Sequence, residues 1–324
     1  MRLGILGAAD IAFRRFLPAL ARCQDLEYIG VASRTPGRAL AFMEQFGGRI
    51  YSSYEELLAD ESVDAVYLPL PPALHYEWGK KTLQAGKHLL MEKPFTVKFS
   101  ETRELLELAA KKNLVVHENY MFLYHSQLDQ IRERIAGGEI GELRMIRSAF
   151  GFPFRGSEDF RYRKALGGGA LLDCGGYPVR LVSELLGDTA RVTQARLVQP
   201  KNFEVDLFGS AILENEHGIC GQISFGMDNS YKCELELWGS KGCLRADRIF
   251  TAPAGFQPSL TVKSAAGEQN LSLPEDDAFL NSIRVFVNAV QDQTKRYHIR
   301  RDIEMQSVRI EMIRKVGTNQ DAIL

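Results

Sequence analysis

The stretch Gly4-Ile5-Leu6-Gly7-Ala8-Ala9-Asp10-Ile11-Ala12 decides how the first third of the chain reads. A short apolar run, Leu3 to Leu6, ends on a glycine, and a helix-like run opens at Ile11. Strand, tight turn and helix in that order begin a dinucleotide-binding unit when the turn reads G-x-G-x-x-G/A. Gly7 supplies the tight bend, and Ala12 is small enough for close packing of helix on strand. Ala9 departs from the pattern, because its methyl group stands where the pyrophosphate would approach the backbone. Taken alone, the turn fits an ordinary strand–turn–helix as well as a cofactor site. Its place at the N-terminus of a helix, a natural anion site, points to backbone N–H groups near Asp10 and Ile11 facing the pyrophosphate, slightly displaced to clear Ala9.

Downstream, RLGIL, EYIGVAS, AVYLPL, HLLMEK and LVVHEN are short apolar runs of the kind a parallel sheet buries on both faces. Helical stretches lie between them, at 11–22, 37–46, 54–59, 74–85 and 100–112. The last starts at Ser100 with Arg103 where a capping box would place Glu. The alternation predicts an α/β Rossmann domain, a doubly wound parallel sheet, over residues 1–120. At the end of the second strand, an NAD-preferring site would carry an acid for the ribose 2′-hydroxyl. This chain has Ser33-Arg34-Thr35 and then Arg38, hydroxyls and guanidinium forks suited to a 2′-phosphate. NADP(H) is therefore the preferred cofactor, with NAD(H) possible; a solvated loop with ordinary arginines is the alternative.

The pattern changes near residue 120. A helix with Leu128, Ile131 and Ile135 on one face ends at Gly137-Gly138. Then come LRMIRSAFGF, ARVTQARLV, DLFGSAILE, ICGQISFGM, KCELELWGS and LTVKSAA, separated by polar turn pairs. One helix at 176–186 interrupts the series, and two more, near 278–291 and 303–315, close the chain. Residues 121–324 thus read as an α+β domain with a mainly antiparallel sheet, for substrate binding and oligomerisation, its C-terminal helix packing back on the first domain.

Composition narrows the function. The 324 residues are 45% hydrophobic and 25% charged with formal net charge -1, which gives no basic footprint for nucleic acid or an acidic membrane surface. No apolar run approaches the roughly 18 residues a membrane span requires. Met1-Arg2 runs straight into a strand, so no secretion signal is expected. The 5 cysteines form no CxxC pair and fit reduced thiols in a cytoplasm, and the 6 scattered histidines show no metal-ligand spacing. No metal is expected.

At Met91-Glu92-Lys93-Pro94 the sequence resembles the glucose–fructose oxidoreductase/inositol dehydrogenase/rhizopine catabolism (Gfo/Idh/MocA) family. The resemblance extends over nearly the whole chain through VASRTPGRA, VYLPLPPALHYEW, AGKHLLMEKP, LGGGALLDCGGYPVR and ELWGSKGCLRADRIFTAP. It implies a second domain with a large open sheet, an active site between the domains, and Lys93, Asp173 and Tyr177 facing the nicotinamide. It further implies a Lys93–Pro94 bond that is often cis, and cofactor contacts from Leu70, Pro71, His75, Glu92, Lys93 and Pro94. The chemistry agrees: Asp173 and Tyr177, four apart, share a helix face, and ketone reduction needs a proton donor beside the hydride. A phenol needs a neighbouring ammonium to lower its pKa, and Lys93 can supply one; Asp173 would orient Lys93 or a substrate hydroxyl. The bland reading is a surface lysine, a helix-terminal aspartate and a core tyrosine. Pro72, where many relatives have Asn, and Leu123, where they often have Arg, depart from the family pattern. A structural role for His75 is as well supported as a place near the nicotinamide ribose.

The stretch FPFRGSEDFRYRKALGGGALLDCGGYPVR looks most like the reductases of nucleotide-linked 3-keto-deoxysugars. Arg155, Arg161, Arg163 and Arg180 offer cationic forks for a substrate diphosphate, and Phe152, Phe160 and Tyr162 rings for a base or sugar. Arginines on a sheet rim are also commonly solvated or paired with carboxylates. Dehydrogenation of a free sugar, polyol or trans-dihydrodiol, and a catalytically silent NADP-sensing regulator, are the competing readings. Family members commonly pair through the outer sheet face, which implies a homodimer or homotetramer.

Overall fold

An apolar strand buried on both faces needs partners on either side, and β1 (Arg2–Leu6) has both, with Leu3, Ile5 and Leu6 fully buried. The computed structural model describes residues 1–318; the end of the expected second domain, 319–324, lies outside the described residues. After β1, a π-helical turn at Ala12–Phe16 runs into α1 (Leu17–Leu20). There follow β2 (Glu27–Ala32), α2 (Pro36–Phe46), β3 (Arg49–Tyr51), α3 (Tyr54–Ala59), β4 (Ala65–Leu68), α4 (His75–Gln84), β5 (His88–Met91), α5 (Phe99–Lys111) and β6 (Val116–Glu118). The strands form one sheet in the order β3-β2-β1-β4-β5-β6, all pairs parallel. The order reverses between β1 and β4, and the carboxyl ends of such a pair frame the crevice where open α/β sheets take ligands.

The chain then forms α6 (Gln127–Ala136), β7 (Leu143–Gly151), a π-helical turn at Leu171–Gly175 and α7 (Gly176–Leu186). Next come β8 (Arg191–Val198), β9 (Phe208–Glu214), β10 (Cys220–Gly226), β11 (Lys232–Gly239), β12 (Gly242–Asp247), β13 (Ser259–Ser264) and β14 (Gly267–Ser272). Two helices follow, α8 (Ala278–Gln291) and α9 (Thr294–Thr318). The chain divides into two units: Met1–Met121 with Phe279–Ser307, and Phe122–Ala278 with the chain from Val308 on.

The first unit has a core on each face of its sheet, as period-2 alternation requires. Leu3, Ile5, Ala65 and Tyr67 pack with Phe16 and Leu17 on one face, where Phe279, Ile283 and Phe286 of α8 complete the layer. Leu6, Val66, Leu68 and Leu89 pack with Leu57, Trp78 and Leu105 on the other.

The second unit's sheet runs β14-β13-β12-β11-β7-β10-β9-β8, antiparallel except for the parallel pair β7–β10. Cys233, Leu235 and Leu237 of β11 turn inward and are buried, while Trp238 on the opposite face is about half exposed. On the inner face α7 sits so close that a side chain at Gly221 would meet Val182 Cγ1 at 2.2 Å.

Three strands have no counterpart among the expected runs. β3 has three residues, too few to show a period; β12 buries only Leu244 and Ala246, too short an alternation to stand out beside β11; and β14 carries mostly polar, exposed side chains at the sheet edge. Two helix starts also differ. α9 begins at Thr294 rather than near 303, because Asp292 accepts from the Thr294 N–H and hydroxyl at 3.0 and 2.6 Å. α5 begins at Phe99 with Lys98 at its cap, so Ser100 lies within the helix and caps nothing.

Two histidines make the first unit sensitive to acid. Burial drives the pKa of His75 down to about 4, and burial followed by the Arg296 charge does the same to His88. Both stay neutral in the folded chain while the unfolded chain protonates near 6.5, so their contribution is complete above about pH 6.5 and lost as pH falls towards 4. Urea titrations should find the chain less stable at pH 5 than at pH 7, by about 2 kcal/mol from His75 alone. His88→Gln should reduce that difference, and equal stability at the two pH values would disprove the assignment.

Candidate active site

The opening turn bends tightly at its first glycine. Gly7 lies at φ +105°, and a side chain there would meet Leu70 Cδ2 at 2.6 Å, so only glycine fits. Ala12 is fully buried against the sheet. The Ala9 N–H turns back to the Gly7 carbonyl at 3.0 Å, and the first intrahelical bond runs from Phe13 N–H to Ala9 O at 3.1 Å. The N–H groups of Asp10, Ile11 and Ala12 therefore stand ahead of the ladder, the donors a helix start offers an anion. At the end of β2, Ser33 Oγ accepts the Thr35 N–H at 3.1 Å, and Arg34, Thr35 and Arg38 are exposed. The Arg34 guanidinium lies against the Tyr54 hydroxyl, itself 4.0 Å from where a Gly7 Cβ would sit, so Arg34 leans towards the turn.

The Lys93 turn follows β5. The Lys93–Pro94 peptide is cis, and Lys93 is half-buried. Each polar group around it has a partner. Glu92 Oε1 accepts from the Tyr67 hydroxyl at 2.6 Å and from Asn119 Nδ2 at 2.7 Å. The Phe95 N–H donates to Glu118 Oε1 at 2.6 Å. Ser282 donates to Asn119 Oδ1 at 2.8 Å and lies 2.9 Å from His117 Nε2. Burial pushes the Glu92 pKa up, and the Tyr67 and Asn119 hydrogen bonds oppose the shift.

Two of the expected cofactor contacts have their polar atoms turned inward. Glu92 directs Oε1 to Tyr67 and Asn119, and His75 is fully buried with its ring nitrogens 2.7 Å from the Pro94 and Leu70 carbonyls. Both are framework residues of the turn. Leu70 is buried and Pro71 precedes the short 3₁₀ turn Pro72–Leu74 that leads into α4, where Pro72 occupies a favoured helix-start position. Tyr67, Glu118 and Asn119 were not singled out by sequence; polar residues at the carboxyl end of an apolar strand were the signal available.

In the second unit, the three glycines of Gly167-Gly168-Gly169 each answer a steric demand. Gly167 is left-handed at φ +78°; a side chain on Gly168 would meet the Arg161 carbonyl at 2.3 Å, and one on Gly169, at φ +121°, would meet Asp206 Oδ1 at 2.5 Å. Asp206 then caps the next helix: its Oδ2 accepts the Leu171 N–H and its backbone carbonyl the Ala170 N–H, both at 2.8 Å. Burial raises its pKa, with the Leu171 bond and the Arg314 charge opposing. Nothing local in the sequence links Asp206 to residues so far upstream.

The helix so capped opens with a π-helical turn rather than the α-helical one expected. Asp173 lies in that wide turn and Tyr177 in the α-helical part beyond it, and π turns recur at functional sites. A side chain at Gly175 would meet the Phe225 ring at 3.0 Å, so the turn rests directly on β10. The Tyr177 ring packs against Phe122, Phe150 and Phe250 at 5.1–5.7 Å between centroids, leaving 9% of the residue exposed.

The four arginines separate. Arg161, expected to meet substrate, instead donates to Asp173 Oδ2 at 2.9 Å and pairs with Asp159 at 3.1 Å, three-quarters or more of its side chain covered. It holds Asp173 in place. Arg163 pairs with Glu158, and Arg180 is buried 3.6 Å from Glu184. Arg155 is exposed, its guanidinium 4.4 Å above the Phe152 ring. Phe150 links Tyr177 to Phe152, with centroids 5.1 and 6.1 Å away. Beside Arg155, Phe154 is 42% exposed and stacks at a tilt on Tyr162 at 4.6 Å. Among the described residues, no His, Cys, Asp or Glu side chains group as ligands for a metal ion, and no helix is long and apolar enough to cross a membrane.

Residues 1–120 match the family described as "Oxidoreductase family, NAD-binding Rossmann fold", and residues 128–245 match the GFO/IDH/MocA C-terminal domain. The chain is 40% identical over 294 residues to the dTDP-3,4-didehydro-2,6-dideoxy-alpha-D-glucose 3-reductase of Saccharopolyspora spinosa, covering 91% of this chain and 89% of that protein. It is 43% identical over 292 residues to the reductase of the same name from Streptomyces violaceoruber, covering 90% and 85%. Its structure superposes with a TM-score of 0.94, at 38% identity and 98% and 97% coverage, on a 3-ketoreductase from Actinomadura kijaniata solved with NADP and TDP-benzene. That enzyme was also solved with a lysine and a tyrosine substituted, at positions spaced along its chain as Lys93 and Tyr177 are here.

The cap at Asp206 carries a measurable load. Asp206→Ala should cost about 1 kcal/mol of stability in urea or thermal unfolding, and Gly169→Ala more, since it adds left-handed strain to a collision with the same carboxylate. Wild-type stability in Asp206→Ala would show that the cap contributes nothing.

Proposed function

This chain belongs to the Gfo/Idh/MocA oxidoreductase family, and we propose that it uses NADPH to reduce the 3-keto group of a nucleotide-linked deoxysugar. It is an oxidoreductase acting on C=O and CH–OH groups. The observation that carries the substrate reading is identity of 40–43%, over about nine-tenths of the chain, to reductases of a dTDP-linked 3-keto sugar.

The first unit is the cofactor domain. Gly7, Ala9, Asp10, Ile11 and Ala12 form the pyrophosphate turn, and Ser33, Arg34, Thr35 and Arg38 receive the 2′-phosphate, with Arg34 foremost because it leans over the turn. When bound, the nicotinamide supplies a hydride to the carbonyl carbon. The alkoxide that forms takes its proton from the Tyr177 hydroxyl, and the tyrosinate is reprotonated from solvent. The Lys93 ammonium stabilises the developing negative charge on that oxygen, and Asp173, fixed by Arg161, orients the substrate. The matching lysine and tyrosine substitutions in the Actinomadura enzyme support this assignment.

The second unit is the substrate domain. Arg155 takes the diphosphate, since the other three arginines already face carboxylates, and exposed Phe154 offers a face for the base. The outer face of its sheet, where Trp238 is half exposed beside Arg147, joins copies into a homodimer or homotetramer. The free cysteines support a cytoplasmic location. Light scattering and cell fractionation test these two assignments, and a monomer at assay concentration would overturn the first.

Absorbance of NADPH should fall on adding a dTDP-linked 3-keto sugar and remain steady with free sugars. Tyr177→Phe should lower kcat roughly 10²–10⁴-fold and Lys93→Met roughly 10²-fold or more. Arg155→Ala should raise KM for the sugar nucleotide, and Arg34→Ala KM for NADPH, by about tenfold each. Turnover confined to free sugars or trans-dihydrodiols, or near-normal turnover by both catalytic variants, would overturn the proposal.

A further inference from the structure

We infer that His75 is a positioning residue for Lys93, bracing the catalytic turn against the floor of the cofactor site. The inference rests on the assignment of Lys93 to catalysis. His75 is 0% exposed at the start of α4, and its two ring nitrogens lie 2.7 Å from two carbonyl oxygens. One carbonyl belongs to Pro94, bonded through a cis peptide to Lys93; the other belongs to Leu70. Leu70 in turn packs where a Gly7 side chain would be, with Cδ2 at 2.6 Å. One imidazole thus spans the ends of β5 and β4, and through Leu70 reaches the turn after β1.

The charge balance fits a brace rather than an acid or base. Burial holds the ring neutral against the opposing pull of the Pro94 and Leu70 carbonyls, and the nearby Lys93 charge acts with burial. A neutral imidazole has one N–H, so it donates to only one of the two carbonyls at a time and merely packs against the other. The ring sits close enough to Lys93 to sense its charge, yet fully buried it has no surface to offer a substrate. Its effect must pass through the Leu70 and Pro94 backbone. A catalytic group displaced by about 1 Å costs roughly 10²-fold in rate, so loss of the brace should appear in kcat before it appears in cofactor binding.

The test compares His75→Phe, which keeps a ring and removes both nitrogens, with His75→Gln, which restores an N–H donor. NADPH affinity is read by fluorescence, unfolding by circular dichroism, and kcat and KM with the dTDP-linked 3-keto sugar. His75→Phe should lower kcat roughly 10- to 100-fold while the NADPH dissociation constant changes by less than about threefold, and His75→Gln should recover part of the loss. In a Lys93→Met background, adding His75→Phe should lower kcat no further. A His75→Phe enzyme with kcat near wild type overturns the inference, as does a loss of kcat that only tracks lost NADPH binding or lost folding in both variants. If Lys93→Met itself turns over normally, the assignment of Lys93 fails instead; an inactive Lys93→Met beside a fully active His75→Phe condemns His75 alone.

Discussion

The turn from Glu92 to Phe95 leaves the sheet in a buried place, and a buried backbone must find a partner for every polar group it carries. Here the partners are side chains from neighbouring elements. Glu118, at the end of β6, receives the Phe95 N–H, and His75 of α4 meets the Pro94 carbonyl. The Glu92 carboxylate is itself held by Tyr67 of β4 and by Asn119. Removing any one partner would leave a buried group unsatisfied, at a cost of about 1–3 kcal/mol. The lysine inherits its position from this closed set of bonds, and the set exists only because the parallel sheet brings those strand ends side by side.

The second unit solves a similar problem with space as well as hydrogen bonds. Gly168, Gly169 and Gly175 let backbone and ring approach where a methyl group would collide, and Asp206 occupies the room that Gly169 leaves. Arg161 then fixes Asp173 on the turn so formed. The aromatic rings around Tyr177 keep it largely from water, which strengthens any electrostatic interaction made there.

Legibility in the sequence followed the range of the forces involved. Strand–helix alternation, the glycine at the first turn and the Glu-Lys-Pro stretch are local patterns, and they were sufficient for the fold and the family. The short strand Arg49–Tyr51 and the polar strand Gly267–Ser272 left no periodic mark, because pairing with neighbours, not burial of a face, defines them. The ion pairs of Arg161 join residues that are near in space but separate in sequence, so an arginine that looked available for substrate was already engaged. Nor does a residue string announce a π-helical turn; the tertiary packing of Gly175 on Phe225 selects it.

The place of β7 has a consequence for how the chain is made. It is the first strand of its sheet to leave the ribosome, yet it ends in the middle, parallel to β10 and antiparallel to β11. No hairpin joins it to either neighbour, so both its edges wait until the residues from Cys220 to Gly239 have been synthesised. At roughly 5–20 residues per second that is a delay of several seconds. During it, the apolar side chains of Ile146 and Phe150 and two rows of unpaired backbone groups stand open to other chains. Nascent copies on one message are therefore most exposed to aggregation in that interval, and a chaperone that bridges it would protect this strand before any other.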